Sequence, residues 1–262
     1  PVFQTLAYNM LKVLCTLIKP TSGSILCDGK DIFALDGEYR RILGYLPQEF
    51  GFYPEFSVHD YLMYIASIKG MRISIARKRV TELLRQVGLA KMQNRKMKKL
   101  SGGMKRRAGI AQAMLNNPKI LILDEPTAGL DPNERIRFRN LISELSQDRL
   151  VLLSTHIVSD IEYIANQVLL MKDGKISHSG TQEEIIQSVP VKVWSCVVAN
   201  NEVEMWQKQF KVSNMKTLSD GIELRILSEK SPHYNAKEET MTLEDIFLYY
   251  FGEKTGDAYD VL

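Results

Sequence analysis

Two adjacent carboxylates, Asp124 and Glu125, directly follow an apolar run at 120–123 in the stretch ILILDEP. A short apolar run of this kind indicates a buried strand. Adjacent acids at the end of a buried strand call for a cation or a reacting group nearby, because an unpaired buried charge is costly. The pair therefore predicts a site based on carboxylate oxygens, which hold a hard metal ion or accept a proton.

Three further motifs accompany this pair along the chain. LPQ carries Gln48, LSGGMKRR occupies 100–107, and LLSTH ends on His156; GLDP, with Asp131, follows the two acids closely. Taken singly, each also fits an ordinary structural role: a loop glutamine, a helix N-cap at Ser101, or a core strand that meets a capped helix. Their occurrence together and in this order is far more specific.

In combination, LSGG followed by LDEP and TH resembles the nucleotide-binding domain of the ATP-binding cassette (ABC) family over about residues 10–187. The resemblance implies a P-loop NTPase-like fold of the α/β class with a mostly parallel sheet. It also implies that ATP and Mg²⁺ are the ligands.

The resemblance assigns a role to each residue near the strand ends. Asp124 is expected to hold Mg²⁺, which prefers hard oxygen ligands together with water and phosphate. Glu125 is expected to act as the general base on the attacking water. His156 would contact the γ-phosphate and hold that water. Gln48 would sense both the metal and the γ-phosphate, so it counts among both the catalytic and the metal-site residues.

The LSGG motif is expected to bind nucleotide at a helix start. Ser101, Gly102 and Gly103 begin a helix whose free N–H groups and dipole favour an anion, and glycine permits close backbone approach. In the family this motif binds the γ-phosphate held by the opposite subunit, and Asp131 lies at the same dimer boundary. An N-cap role for Ser101 is compatible with this function.

The pattern of elements predicts how these motifs are carried. Buried strands separated by helices indicate a parallel sheet covered on both faces. Residues 8–18 are predicted to form a helix, and 57–117 a helical insert between strands. After Pro190 the sequence pattern changes and predicts short strands and two helices. The predicted domains are a nucleotide-binding domain at 1–187, incomplete at its N-terminus, and a small α+β appendage at 188–262.

Composition narrows the class of protein. The 262 residues are 45% hydrophobic and 25% charged, as expected for a globular chain. The net charge of +3 is too balanced to indicate nucleic-acid binding. The three cysteines lack metal-ligand spacing. Apolar stretches fall short of the ~20 residues needed to cross a bilayer, so any membrane role is expected to act through a partner.

One expected part of the nucleotide site has no match. A phosphate loop, G-x-x-x-x-G-K-[ST], should precede the first helix. The residues before MLKVL are PVFQTLAYN, with no glycine and no lysine. Three interpretations compete: a fragment or truncated product, a degenerate subunit whose partner supplies an intact loop, and an error at the gene start.

The sequence therefore predicts the ATP-binding and ATP-hydrolysing subunit of an ABC transporter, by its general shape an exporter. One cassette must pair with a second ABC subunit, identical or homologous, and with a membrane-spanning permease at the cytoplasmic face of the cell membrane. No nucleic-acid partner is expected. The missing phosphate loop argues against activity of the chain alone. The rivals are a non-catalytic regulatory or degenerate subunit and a soluble ABC ATPase without a transport role.

Overall fold

The computed structural model of this chain describes the backbone of residues 2–252 and the side chains of residues 8–252. The chain divides into two compact units, Pro1–Asp160 and Ile161–Leu262. The domain boundary between 187 and 188 that composition suggests stays a prediction. Within the predicted appendage, residues 253–262 lie outside the described residues.

The first unit alternates short strands with helices. Its strands are β1 (Leu26–Cys27), β2 (Lys30–Asp31), β3 (Leu43–Leu46), β4 (Ile120–Asp124) and β5 (Leu150–Ser154). Its helices are α1 (Val2–Leu14), α2 (Ile32–Leu35), α3 (Gly37–Ile42), α4 (Val58–Ile68), α5 (Ile73–Gln86), α6 (Gly102–Ala113) and α7 (Pro132–Leu145). Helix α8 (Val158–Ile164) crosses the boundary to the second unit.

A parallel sheet in the order β3, β4, β5 carries the predicted site. Leu46 pairs with Leu123, and Asp124 pairs with Ser154, so the three strands end almost level. The central strand β4 is buried along nearly its whole length, which explains its unbroken apolar sequence. This arrangement confirms the predicted α/β fold class. Because parallel strands share a direction, their carboxyl ends lie at one edge.

The chain between β3 and β4 is helical, as predicted. It forms α4, α5 and α6, with two 3₁₀ turns at Ala90–Met92 and Met97–Lys99. Ser57 caps α4 by accepting a hydrogen bond from the backbone N–H of Asp60 at 3.1 Å. The Val58 N–H donates to the Arg95 carbonyl at 3.1 Å, and the Met97 N–H donates to the Phe56 carbonyl at 2.9 Å. The start of the insert is therefore tied to the stretch that enters α6.

The first helix ends earlier than the sequence predicts. Helix α1 stops at Leu14, and Thr16 adopts a left-handed conformation with φ of 56°. Leu11 and Cys15 are buried, whereas Leu17 is 60% exposed. The predicted helix over 8–18 is therefore wrong at its C-terminal end, because apolar periodicity continued past a residue where the backbone turns.

The second unit contains two antiparallel sheets. Its strands are β6 (Val168–Lys172), β7 (Lys175–Gly180), β8 (Lys192–Val198), β9 (Lys211–Leu218), β10 (Gly221–Ser228) and β11 (Lys237–Glu239). Its helices are α9 (Gln182–Ser188), α10 (Val203–Gln209) and α11 (Leu243–Phe251). Strands β6 and β7 form a hairpin, and the other four pair in the order β11, β8, β10, β9. No helix among the described residues is both long and apolar enough to cross a membrane.

The four-stranded sheet of the second unit has its own core and a polar anchor. Trp206 of α10 packs with Leu224 and Ile226 of β10 in a buried cluster. Asp245, at the start of α11, is 2% exposed and accepts hydrogen bonds from Arg225 at 2.9 and 2.7 Å. Despite the burial of this carboxyl, the Arg225 and Thr242 hydrogen bonds hold its pKa below the usual value. A buried charge with matched donors fixes α11 to the sheet.

Candidate functional site

The ends of the three parallel strands bring the predicted site residues to one edge of the sheet. Gln48 follows β3 by two residues, Asp124 ends β4, and His156 follows β5 by two residues. Glu125 continues from β4, and its N–H donates to the Ser154 carbonyl at 2.9 Å. The grouping at 48, 124, 125 and 156 follows from the register of the strands, as the sequence predicts.

Asp124 presents a buried oxygen that lacks a partner. The residue is 3% exposed, and among the described residues its Oδ2 accepts no hydrogen bond. Burial raises the pKa of this carboxyl, as does the nearby charge of Glu125. A backbone hydrogen bond from Gln48 and the positive charges of Arg106 and Lys12 act in the opposite direction. A buried, unsatisfied carboxylate oxygen is a fitting ligand for a hard cation.

Glu125 and His156 form a directly bonded pair. Oε1 of Glu125 lies 2.7 Å from Nδ1 of His156, and Oε2 accepts from the Thr155 hydroxyl at 3.4 Å. Glu125 is 8% exposed, whereas the imidazole is 52% exposed. A buried carboxylate that orients an accessible imidazole can share a proton with it and with a bound water.

The backbone of Glu125 is strained. Its φ of 45° lies in the left-handed region, which is rare for a residue other than glycine. Strain of this kind costs about 1–3 kcal/mol and persists only where surrounding bonds enforce it. Three such bonds are present, since the Glu125 N–H donates to Ser154 and the Glu125 carbonyl accepts from Arg106 at 3.0 Å and from the Ala128 N–H at 3.3 Å.

Gln48 reaches the site through its main chain. The Gln48 backbone donates a hydrogen bond to the Asp124 carboxylate, while the Gln48 side chain is exposed. In the part of the chain that the structure describes, the Gln48 side-chain amide makes no hydrogen bond to the other site residues. The predicted contacts of that amide with metal and γ-phosphate stay predictions.

The residues that fit a metal are few. Among the described residues, no group of three or more His, Cys, Asp or Glu side chains could hold a metal ion. Mg²⁺ is commonly bound by one or two carboxylates together with waters and phosphate oxygens. Asp124, with its unpaired Oδ2, fits that role if phosphates supply the other ligands.

The LSGG motif begins helix α6, as predicted. Ser101 is the N-cap, and its hydroxyl accepts from the Met104 N–H at 3.3 Å. A Cβ added to Gly102 would meet nothing within 4 Å, so its backbone is open to a ligand. Gly103 differs, because an added Cβ would lie 2.7 Å from Cγ and Cδ of Glu134. The two glycines therefore have different surroundings.

Asp131 is tied to the LSGG motif through the same glutamate. Asp131 caps α7, and its Oδ1 accepts from the Glu134 N–H at 2.9 Å. The Glu134 carboxylate forms ion pairs with Arg107 at 3.3 Å and with Arg137 at 2.7 Å. The start of α7 and the start of α6 thus form one packed cluster around a buried carboxylate.

Replacing Gly103 with alanine is expected to destabilise the folded chain by about 1–3 kcal/mol. The new methyl group would overlap Glu134, whose two ion pairs oppose its displacement. The matched control is Gly102→Ala, which meets open space and is expected to gain up to ~1 kcal/mol of helix stability. Thermal and denaturant unfolding measure both. Equal stability of the two variants would show that Glu134 moves aside freely.

Three residues of this region are not predicted from the sequence as part of the site. Thr155 and Glu134 contact predicted site residues, and Arg106 donates to two backbone carbonyls just past the ends of β3 and β4. Thr155 stands beside His156 in LLSTH, so adjacency could have indicated it. For Glu134 and Arg106 the sequence offers only charged residues near a motif.

Comparison with known proteins places these motifs in context. Residues 9–128 match the ABC transporter family. The chain is 37% identical over 199 residues to the uncharacterised ABC transporter ATP-binding protein YxlF of Bacillus subtilis (strain 168), which covers 76% of this chain and 65% of YxlF. It is 28% identical over 259 residues to the probable multidrug ABC transporter ATP-binding protein YbhF of Escherichia coli (strain K12), covering 93% of this chain and 45% of YbhF.

A solved structure shares the fold. The dimeric structure of MJ0796, a bacterial ABC transporter cassette, superposes with a TM-score of 0.59 at 27% identity, covering 67% of this chain and 80% of that one. The chain spans between about half and two thirds of the length of the two curated relatives that it matches.

Proposed function

Because this chain belongs to the ABC transporter family through its ATP-binding domain, we propose that it is an ATP-hydrolysing subunit that powers an ABC transporter. One observation carries the proposal. The buried, unpaired Oδ2 of Asp124 lies beside a Glu125 carboxylate that is bonded to His156, at the edge where three parallel strands end. This arrangement suits a metal-bound phosphate and an attacking water.

The proposed chemistry divides the work among neighbouring side chains. Glu125 accepts a proton from the attacking water, and His156 holds Glu125 in place through Nδ1. Among the described residues Nε2 of His156 has no partner, so it is the nitrogen left for the γ-phosphate. Asp124 holds Mg²⁺. When bound, Mg²⁺ neutralises charge that develops on the phosphate oxygens. Gln48 reports the metal and γ-phosphate through the loop that its backbone anchors to Asp124.

The LSGG helix is proposed to complete the ATP site of a second ABC subunit. Ser101 and Gly102 present the free N–H groups of a 12-residue helix at an open start, which favours a phosphate. Gly103 supports that start by its contact with Glu134 and so with Asp131. The dimeric arrangement of MJ0796 supports pairing of two cassettes.

The transport context is proposed from the names of the relatives. The relatives are named ABC transporter ATP-binding proteins, and YbhF is named a probable multidrug transporter component. We therefore propose a membrane-spanning permease as partner, a position on the cytoplasmic face of the membrane, and export as the direction. A regulatory subunit without activity and an ABC ATPase without a permease are the rival outcomes.

The test uses two proteins: the 262-residue chain itself, and a chimera in which the phosphate-loop segment of an ABC relative is joined ahead of Asn9. In the chimera we expect Mg²⁺-dependent release of phosphate from ATP, measured by a coupled phosphate assay. In the chain alone we expect weak ATP binding by calorimetry, because charge-assisted hydrogen bonds of about 1.5–3 kcal/mol each are missing. A chimera that binds ATP but releases no phosphate would favour the regulatory role.

A further inference from the structure

Arg106 of helix α6 contacts two segments through its guanidinium group: the loop after β3, which carries Gln48, and the turn at Glu125 after β4. Its Nη1 donates to the Pro47 carbonyl at 3.1 Å, and its Nη2 donates to the Glu125 carbonyl at 3.0 Å. The guanidinium is a rigid planar fork, so its two terminal nitrogens hold both acceptors in a fixed relation. A lysine ammonium carries the same charge, but it lacks that geometry.

The two carbonyls lie in the segments that position the residues of the proposed chemistry. Pro47 directly precedes Gln48, whose backbone hydrogen bond reaches Asp124. The Glu125 carbonyl closes the left-handed turn that places the Glu125 carboxylate against His156. Without Arg106, each carbonyl loses the donor that α6 provides. The strained turn then keeps the bond from the Glu125 N–H to Ser154 at 2.9 Å and a longer bond from the Ala128 N–H to the Glu125 carbonyl at 3.3 Å.

Helix α6, which carries this guanidinium, packs closely against the end of β3. Gly109, three residues after Arg106 and so on the same face of the helix, allows close contact with the end of β3. A Cβ added there would lie 2.6 Å from Leu46 Cδ1 and 3.0 Å from Phe50 Cε1. Helix α6 thus presses on both ends of the loop that carries Gln48.

The charges around Arg106 also favour this position. Burial lowers the pKa of the guanidinium, but the carboxylates of Asp124, Glu125 and Glu49 act to raise it, and an arginine stays charged at any physiological pH. Asp124 and Glu125 in turn gain a nearby positive charge that offsets their mutual repulsion.

We propose that Arg106 is a positioning residue, through which the helix that begins at the LSGG motif holds the Gln48 loop and the Glu125 turn in register. A shift of α6 caused by a phosphate at its start would then be passed directly to the general base. The catalytic consequence rests on the proposed ATPase function, whereas the positioning itself does not.

The decisive experiment measures amide hydrogen exchange in the 262-residue chain, without nucleotide, for wild type and Arg106→Gln. We expect the N–H groups of Gln48 and Glu125 to exchange on the order of tenfold faster in the variant. Amides of the second unit, such as that of Leu224, should be unchanged. Arg106→Lys should restore protection only in part, because a flexible ammonium lacks the rigid planar fork that holds both carbonyls in a fixed relation. The charge control is Lys99→Gln, at an exposed position before α6.

Each outcome decides the proposal. Unchanged exchange at Gln48 and Glu125 would overturn it, and so would a uniform increase across the chain, which would mean that Arg106 is a general stabiliser. In the chimera, a lower kcat with an unchanged KM for ATP would extend the positioning to catalysis. If the wild-type chimera releases no phosphate, the proposed function fails while the exchange result still decides the role of Arg106.

Discussion

Replacing Glu125 with glutamine is expected to lower kcat for ATP hydrolysis by the chimera about 10²–10⁴-fold, the range typical of general acid–base catalysis. Glutamine has nearly the shape of glutamate and can still accept a hydrogen bond from His156 Nδ1, but it cannot take a proton from water. ATP binding should survive, since the carboxylate proposed to hold Mg²⁺ is that of Asp124. Phosphate release at saturating Mg-ATP and calorimetric binding measure the two effects separately.

The control for this prediction is Asp124→Asn. That variant removes the anionic ligand, so it should weaken Mg-ATP binding, the property that Glu125→Gln preserves. Asp124 and Glu125 are neighbours in sequence and both are buried, so general damage at the strand edge would affect both variants alike. An undiminished rate in Glu125→Gln would remove Glu125 from the role of general base.

The sequence predicts the strand-edge group well, for a physical reason. Gln48, Asp124 and His156 each stand at or just beyond the end of an apolar run, and parallel strands bring such ends to one edge. Their grouping therefore needs only the strand direction and a register, which the paired ends of β3, β4 and β5 satisfy. The bond between Glu125 and His156 follows from adjacency of β4 and β5.

The contacts that support the site could not be predicted in the same way. Glu134 lies 31 residues after Gly103, and their contact depends on how the starts of α6 and α7 pack together. The sequence treats Gly102 and Gly103 alike, as positions of close backbone approach. The structure shows that Gly102 is open and that Gly103 faces a buried carboxylate.

The Arg106 contacts show the same limit. A basic residue in LSGGMKRR predicts a solvated face as readily as a half-buried guanidinium with two acceptors, because charge alone does not reveal the acceptor. Both acceptors of Arg106 are backbone carbonyls, which no side-chain pattern identifies. Motifs at strand ends thus locate the proposed site residues in this chain, while the groups that hold them require coordinates.

Gly102 is the glycine of the LSGG motif at which a side chain can be added without a clash, because Gly103 faces Glu134. Gly102→Asp is expected to lower ATP hydrolysis by the chimera on the order of 100-fold, similar to the loss of one donor to a transition-state oxyanion. The added carboxylate would repel the γ-phosphate of the opposing subunit. It should not harm folding, because the site is open and an acidic residue in the first turn of α6 interacts favourably with the helix dipole. The same change at Gly103 would place the carboxylate against Glu134 and confuse lost function with lost stability.

The control Gly102→Ala tests whether bulk alone matters; it should retain more activity than Gly102→Asp at equal unfolding temperature.

The pairing of subunits is then tested by mixing the Gly102→Asp chimera with the Glu125→Gln chimera. If the LSGG motif acts across the dimer, each mixed dimer contains one site that combines an intact Glu125 from one subunit with an intact Gly102 from the other. Random exchange of subunits would then restore about a quarter of the wild-type sites, since half of the dimers are mixed and each has one such site. If the motif acts within its own subunit, no mixed dimer holds an intact site, and a mixture as inactive as its two components would contradict the proposed action across the dimer.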